Sequence, residues 1–313
     1  DLSELGVIAH LEGAPLVALS MRSIEDALVI RSGDADGRPV EIIHLGTPGA
    51  GGSHTRVLVK AQRSEELMVV EHFAALGSDP SWSNSVTEVS VGDNAKVCHI
   101  QILHGGDEAH RTGNLSVELG RDGAFESHVV SLGGTIGRSE IQVRLSGKGS
   151  HCDLTGLYVA AGKSVLDNYT EIEHLAPHTN SEEDYRGVMS DKSIGGFVGR
   201  VLIHEGAIKS ETHQLNNNLL LSPSAVVHTR PQLEIDNDDV AATHGSTVGQ
   251  LDENALFYLA SRGLNKEQAR ALMIWAFVKA QIDRLPLESL KHLCLERVAE
   301  RLSLSDSWIG ELE

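Results

Sequence analysis

From Glu71 to Leu251 apolar and polar residues alternate with period two, the pattern of half-buried strands. Cys98, Ile100 and Ile102 fall on one parity and His99 and Gln101 on the other. Leu115, Val117 and Leu119 alternate with Ser116 and Glu118, and Ile141, Val143 and Leu145 with Gln142 and Arg144. Short turns such as GRDG, SLGG and SGKG close the units, and no amphipathic helix interrupts the series. Upstream, residues 39–45 (PVEIIHL) and 55–60 (TRVLVK) read as strands. Residues 1–36, with runs such as LVALSM between charged turns, read as strands or strand edges.

Many short strands without helices between them fit a sandwich, a barrel or a β-helix. Asn-Gly and Asp-Gly pairs, the signals of two-residue hairpins, are sparse. The recurring small turns favour a β-helix, whose coils stack inward Val, Ile and Leu on one another. After Gly249 the period changes. Asp252 is placed to cap a helix through Leu259 that Gly263 stops, and Asn265 with Gln268 forms a capping-box pattern. The helix that follows carries ALMIWAFV, apolar all round, and so needs cover on more than one side. Pro286 opens another helix with Leu287, Leu290, Cys294 and Val298 on one stripe. The expected organisation is a mainly β unit, a β-helix core over residues 1–250, followed by a small C-terminal α-helical domain over residues 251–313.

Composition sharpens this picture in three ways. Aromatic residues are 4% of the 313, so the core is built from Val, Ile, Leu and Ala, which suits thin stacked layers. With 26 Lys and Arg against 44 Asp and Glu the formal charge is -18, a field that repels nucleic acid and anionic lipid surfaces. Three scattered cysteines and no signal-peptide pattern fit a reducing, cytoplasmic setting, and no apolar run reaches the ~20 residues of a membrane helix. The missing initiator Met marks the chain as a fragment or a processed product.

Candidate chemistry is sparse. The loop at residues 46–53 (GTPGAGGS) lacks the Gly-Lys-Ser/Thr ending of a phosphate cradle, and no nucleophile, acid and base set is present. His174 and His178 have a metal-like spacing, but Pro177 between them breaks the helix that zinc would need, so they read as a polar turn between coils. Asp236, Asp238 and Asp239 lack the glycine and terminal glutamate of a calcium loop. Cys98 reads as a buried thiol, and none of Cys98, Cys152 and Cys294 has the clustered spacing of iron–sulfur ligands. His244, among small residues where strands give way to helices, is either a turn residue bonded to backbone or a ligand. In the helical part Phe257, Tyr258, Arg262, Trp275 and Phe277 are equally suited to a core and to a partner contact.

Four long blocks carry a resemblance. They are residues 171–191 (EIEHLAPHTNSEEDYRGVMSD), 213–222 (HQLNNNLLLS), 230–240 (RPQLEIDNDDV) and 243–263 (THGSTVGQLDENALFYLASRG). Together they resemble the SufB/SufD family of iron–sulfur cluster assembly proteins, with weaker similarity over most of the chain. The LEI-x-x-x-DDV stretch followed by a His-Gly turn and GQLDE is similar to the SufD side of that family. The resemblance implies a right-handed parallel β-helix, with the helical region usual before it absent here. It implies a non-catalytic scaffold that pairs with SufB through the end of the β-helix and docks the ABC-type ATPase SufC on its helices, or a homodimer in isolation. Glu234, Asp238, Asp239, Phe257, Tyr258 and Arg262 are then interface positions. His244 becomes a shared ligand for iron or a transient Fe–S cluster near SufB, with no cofactor held stably by this chain alone. Ala242 stands where many relatives have Cys, which removes a thiolate from this side. The competing reading is a β-helix carbohydrate enzyme, against which the acids are dispersed and no secretion signal is present.

Overall fold

The computed structural model describes residues 4–10, 14–47, 52–77, 80–106 and 108–304. It is a parallel β-helix, as the alternation predicts. The coil strands are β1 Leu28–Arg31, β2 Val40–Gly46, β3 Gly52–Ala61, β4 Glu66–Ala75, β5 Ser81–Val91, β6 Lys96–Gly105, β7 Ala109–Leu119 and β8 Ala124–Ser131. They continue as β9 Ile136–Leu145, β10 His151–Ala160, β11 Val165–His174, β12 Asn180–Met189, β13 Ile194–Ile203, β14 Glu211–Leu220, β15 Val226–Ile235 and β16 Ala241–Gly249. Odd-numbered strands form one eight-stranded sheet and even-numbered strands the other, so the chain crosses between sheets at every turn. Every neighbouring pair within a sheet is parallel, and the register closes one coil on the next: His151 faces Asn180, Asn180 faces Glu211, and Glu211 faces Ala241.

One corner of the coil shows why the turns need their residues. Ser64, Asn94, Asp122, Gly149, His178 and Lys209 all adopt left-handed backbone, with φ between 54° and 75°. Each donates its N–H to a carbonyl of the next coil, as Asn94 does to Arg121 (2.7 Å) and His178 to Ile208 (2.9 Å). Small polar residues and Gly reach this conformation at least cost, which is the source of the recurring turn signals. His178 is therefore an exposed corner residue. His174 is not part of that turn. It ends β11 fully buried, with Nδ1 bonded to Thr179 Oγ1 (2.8 Å) and Nε2 to Ser181 Oγ (2.9 Å).

Two cores result. The lumen is filled by inward residues, among them Leu115, Val117, Leu119, Ile141, Val143 and Leu145. The second core lies outside the even sheet, where helices α4 (Lys266–Ile282) and α5 (Glu288–Arg301) pack on it. Here the parity at β6 differs from a simple apolar-inward reading. Val97, His99, Gln101 and Leu103 face the lumen, while Cys98, Ile100 and Ile102 face the helices with Val70, Val130, Leu157 and Val159. Ile274, Trp275, Val278 and Ile282 of α4 and Leu290, Cys294 and Val298 of α5 complete that layer. Each large side chain so buried contributes about 2 kcal/mol. The capping box of Asn265 and Gln268 is present, and the Asp252 side chain accepts from Asn254 N–H (2.8 Å). The two-sided cover that ALMIWAFV needs is supplied by the sheet and α5.

The N-terminal expectation fails at LVALSM, which is helical in α1 (Pro15–Arg22). Pro15 occupies the first turn, where its missing N–H costs nothing, and Val17 and Ser20 are buried beside β5. A short apolar run does not distinguish strand from helix by period alone, and here tertiary packing decides. A further short helix, α2 (Ser32–Ala35), follows β1. The segment before α1 is pinned by Glu88, which accepts from Gly6, Ile8 and Ala9 N–H and from buried Arg56. No helix among the described residues is long and apolar enough to cross a membrane.

Candidate functional site at the terminal coil

Strands β15 and β16 end their two sheets, so each pairs on one side only. Ala242 on β16 packs against the lumen core, and His244, two residues on, shares its inward direction. Register places Thr212 beside Ala242 and Gln214 beside His244. Gln214 is fully buried, whereas His244 is exposed because no coil follows it. Across the mouth of the lumen Thr229 of β15 and Ser246 of β16 share a hydrogen bond (2.9 Å). Val248, on the same parity as His244, is 49% exposed. The end of the coil thus presents unpaired strand edges and an uncovered inward face together.

Behind His244 the lumen is polar. The same inward column runs Leu154, Glu183, Gln214, His244 across β10, β12, β14 and β16. Gln214 Nε2 donates to Glu183 Oε2 (2.6 Å). Burial pushes the Glu183 carboxyl up to about 7, against hydrogen bonds from Thr170 and Gln214 that oppose the shift. Beside this column Tyr158, Asn216 and Asn218 form a buried network, in which Asn216 Nδ2 donates to the Tyr158 hydroxyl (3.2 Å). Glu183 shares the parity of the inward Tyr185 and Met189, whereas Gln214 and Asn216 lie on the parity opposite to Leu215 and Leu219, so only register and burial show them to be inward.

The remaining expected interface residues fall in two places. Glu234 lies on the outer face of β15, held by Arg200 through Nε (3.0 Å) and Nη2 (2.8 Å). Asp238 and Asp239 are exposed in the β15–β16 turn, where the Asp239 carbonyl accepts from Lys209 N–H (2.6 Å). Phe257 and Tyr258 lie on α3 (Glu253–Ser261), 75% and 58% exposed, in a helix none of whose residues is buried. Arg262 reaches back over the Tyr258 ring and donates to its hydroxyl (2.9 Å). Trp275 is instead buried in the sheet–helix core and Phe277 receives Arg186 over its ring, so the aromatics divide between core and surface.

A second polar centre, not anticipated from the sequence, lies at the other end of the lumen. Glu71 is fully buried and accepts from His44 Nε2 (2.6 Å), His99 Nε2 (2.7 Å) and Thr87 Oγ1 (2.9 Å). Burial would raise its carboxyl, but the bonds from His44 and His99 outweigh burial and hold it well below the usual carboxylate range. Nearby, Arg111 stacks 3.8 Å above the Phe73 ring, and burial lowers its guanidinium to about 10. The signal was Glu71 on the same parity as Leu67, Val69 and Phe73.

The family profile described as SUF system FeS cluster assembly, SufBD core domain, matches residues 44–277. The iron–sulfur cluster assembly protein SufD of Escherichia coli is 31% identical over 280 residues, covering 88% of this chain and 66% of that protein. SufD of Bacillus subtilis is 30% identical over 258 residues, covering 81% of this chain and 58% of that one. A SufBD family protein of Synechocystis, slr0076, is 30% identical over 244 residues, 75% of this chain and 54% of its own length. The chain therefore spans between about half and two thirds of these relatives.

Proposed function

The chain belongs to the SufBD family of iron–sulfur cluster assembly proteins, on its SufD side, and from that membership we propose that it is a non-catalytic scaffold subunit of an assembly complex. In this reading the terminal coil docks end to end on SufB, and the ABC-type ATPase SufC binds the helices and performs the hydrolysis. The observation that carries the proposal is the uncovered terminal coil. A β-helix needs a cap on its last coil, because bare strand edges and an open inward face invite pairing with another chain. Among the described residues nothing covers β15 and β16, and a second β-helix offers the complementary edges.

The exposed face of α3 supports the second contact. Phe257, Tyr258 and Arg262 are residue types enriched at interface centres, and they stand outside both cores. Net charge of -18 keeps nucleic acid and anionic membranes out of the partner set, and a cytoplasmic setting accords with three buried, unpaired cysteines.

His244 is the chain's contribution to the shared site. A neutral imidazole at the mouth of the lumen can ligate iron or a nascent cluster as substrate, with thiolate or carboxylate completing the set from SufB. Ala242 beside it offers no donor. The test is cluster assembly in a complete SufB–SufC–SufD system with His244→Ala. Complex formation is expected to persist while cluster yield falls by about tenfold; full yield in that variant contradicts the assignment.

A further inference from the structure

We propose that Cys98, Glu126 and His128 form a binding site for a borderline divalent transition ion of the zinc or iron(II) kind, on the helix-covered face of the even sheet. Cys98 Sγ, a Glu126 carboxylate oxygen and a His128 ring nitrogen all lie within 4.8 Å of one another. The three come from adjacent rigid strands. Cys98 of β6 is in register with Glu126 of β8, and His128 is two residues further along β8 on the same face. The three ligand atoms are thus carried on one face of two paired strands. The site lies four and five strands away from β16 in the sheet, so it is separate from the terminal coil.

The hydrogen bonding around His128 prepares it as a ligand. Thr155 Oγ1 donates its single proton to the Ser127 carbonyl (3.2 Å) and contacts His128 Nδ1 at 2.7 Å. With the threonine proton on that carbonyl, Nδ1–H donates to the threonine oxygen, and in this tautomer Nε2 keeps its lone pair for an ion. Nε2 has no hydrogen-bond partner among the described residues. Outer contacts that fix an imidazole's tautomer and orientation in this way are a recurrent feature of metal sites.

Charge and softness narrow the ion. Cys98 and His128 are 5% and 6% exposed, and Glu126 is half-buried with Lys96 Nζ 2.6 Å from its Oε1, leaving the second oxygen for a metal. Ligation by Cys98 as the thiolate releases its proton to solvent. One thiolate and one carboxylate then neutralise a dipositive ion. The neighbouring Asp153 is already matched by Arg284 at 2.7 Å. Sulfur and imidazole donors favour zinc or iron(II) over calcium or magnesium.

The test is an anaerobic titration of the reduced chain with Co²⁺, followed by competition with Zn²⁺. The expected result is a thiolate-to-cobalt charge-transfer band that saturates at one ion per chain and is bleached by zinc. Cys98→Ser should abolish the band, while Cys152→Ser, Cys294→Ser and His244→Ala keep it. Thr155→Val retains all three ligands and should weaken zinc binding by about tenfold through loss of the orienting contact. No saturating band, or an unchanged band in folded Cys98→Ser, overturns the proposal. Should Cys98→Ser fail to fold, Thr155→Val decides: a tenfold loss supports the site, and wild-type affinity overturns it.

Discussion

Between about pH 4.5 and 7 the folded chain holds a proton on Glu183 that the unfolded chain has released, because burial raises that carboxyl in the lumen. Where the native state binds more protons, stability falls as pH rises. Glu183 thus disfavours the fold increasingly across that interval, by roughly 1–3 kcal/mol at the upper end. Glu183→Gln retains a hydrogen-bonding partner for Gln214 and removes the titration. Its denaturant midpoint is expected to exceed that of the parent at pH 8 and to converge on it at pH 4. Equal pH slopes for the two proteins would show that Glu183 does not titrate in this range. Such polar core residues were the least legible part of the chain: Glu71 and Glu183 share parity with apolar inward neighbours, Gln214 does not, and period says nothing about which partners make burial tolerable. His244 was legible as a position, at the change of architecture, while its direction required the register with Gln214.

At the scale of elements, strands and helices were read well where the pattern was long. The capping box at Asn265 and the stripe Leu290, Cys294, Val298 fixed two helices. LVALSM was too short for its period to be decisive, and β6 carried its apolar parity outward because α4 and α5 provide a second core there. The helices therefore share a core with the even sheet, and deleting them would bare Ile100, Ile102, Val130 and Leu157. Surface substitutions separate docking from folding more cleanly. Phe257→Ala with Tyr258→Ala should change stability by less than about 1 kcal/mol, since both side chains are exposed, yet weaken SufC binding by at least about tenfold. Val278→Ala should cost about 2 kcal/mol in chemical unfolding, because it opens a cavity between sheet and helices. Reversed effects, a destabilised surface pair and a neutral Val278→Ala, would place the α3 aromatics in the core and α4 at the surface.

On the scale of the whole molecule, the coil corner of left-handed residues and the parallel register repeat until β15 and β16, where they stop without a cap among the described residues. Stacked coils transmit their geometry to the next layer, so the last layer is a template for another chain. A lysine at Val248, on the inward parity of that layer, should block end-to-end docking and leave the fold intact, because the native side chain is already half exposed. The most direct measurement is light scattering on the purified chain mixed with SufB and SufC. A particle containing all three proteins, lost on Val248→Lys, is the predicted result. Elution of the chain at its own mass, or as a dimer of itself beside a separate SufB–SufC complex, would contradict the assignment.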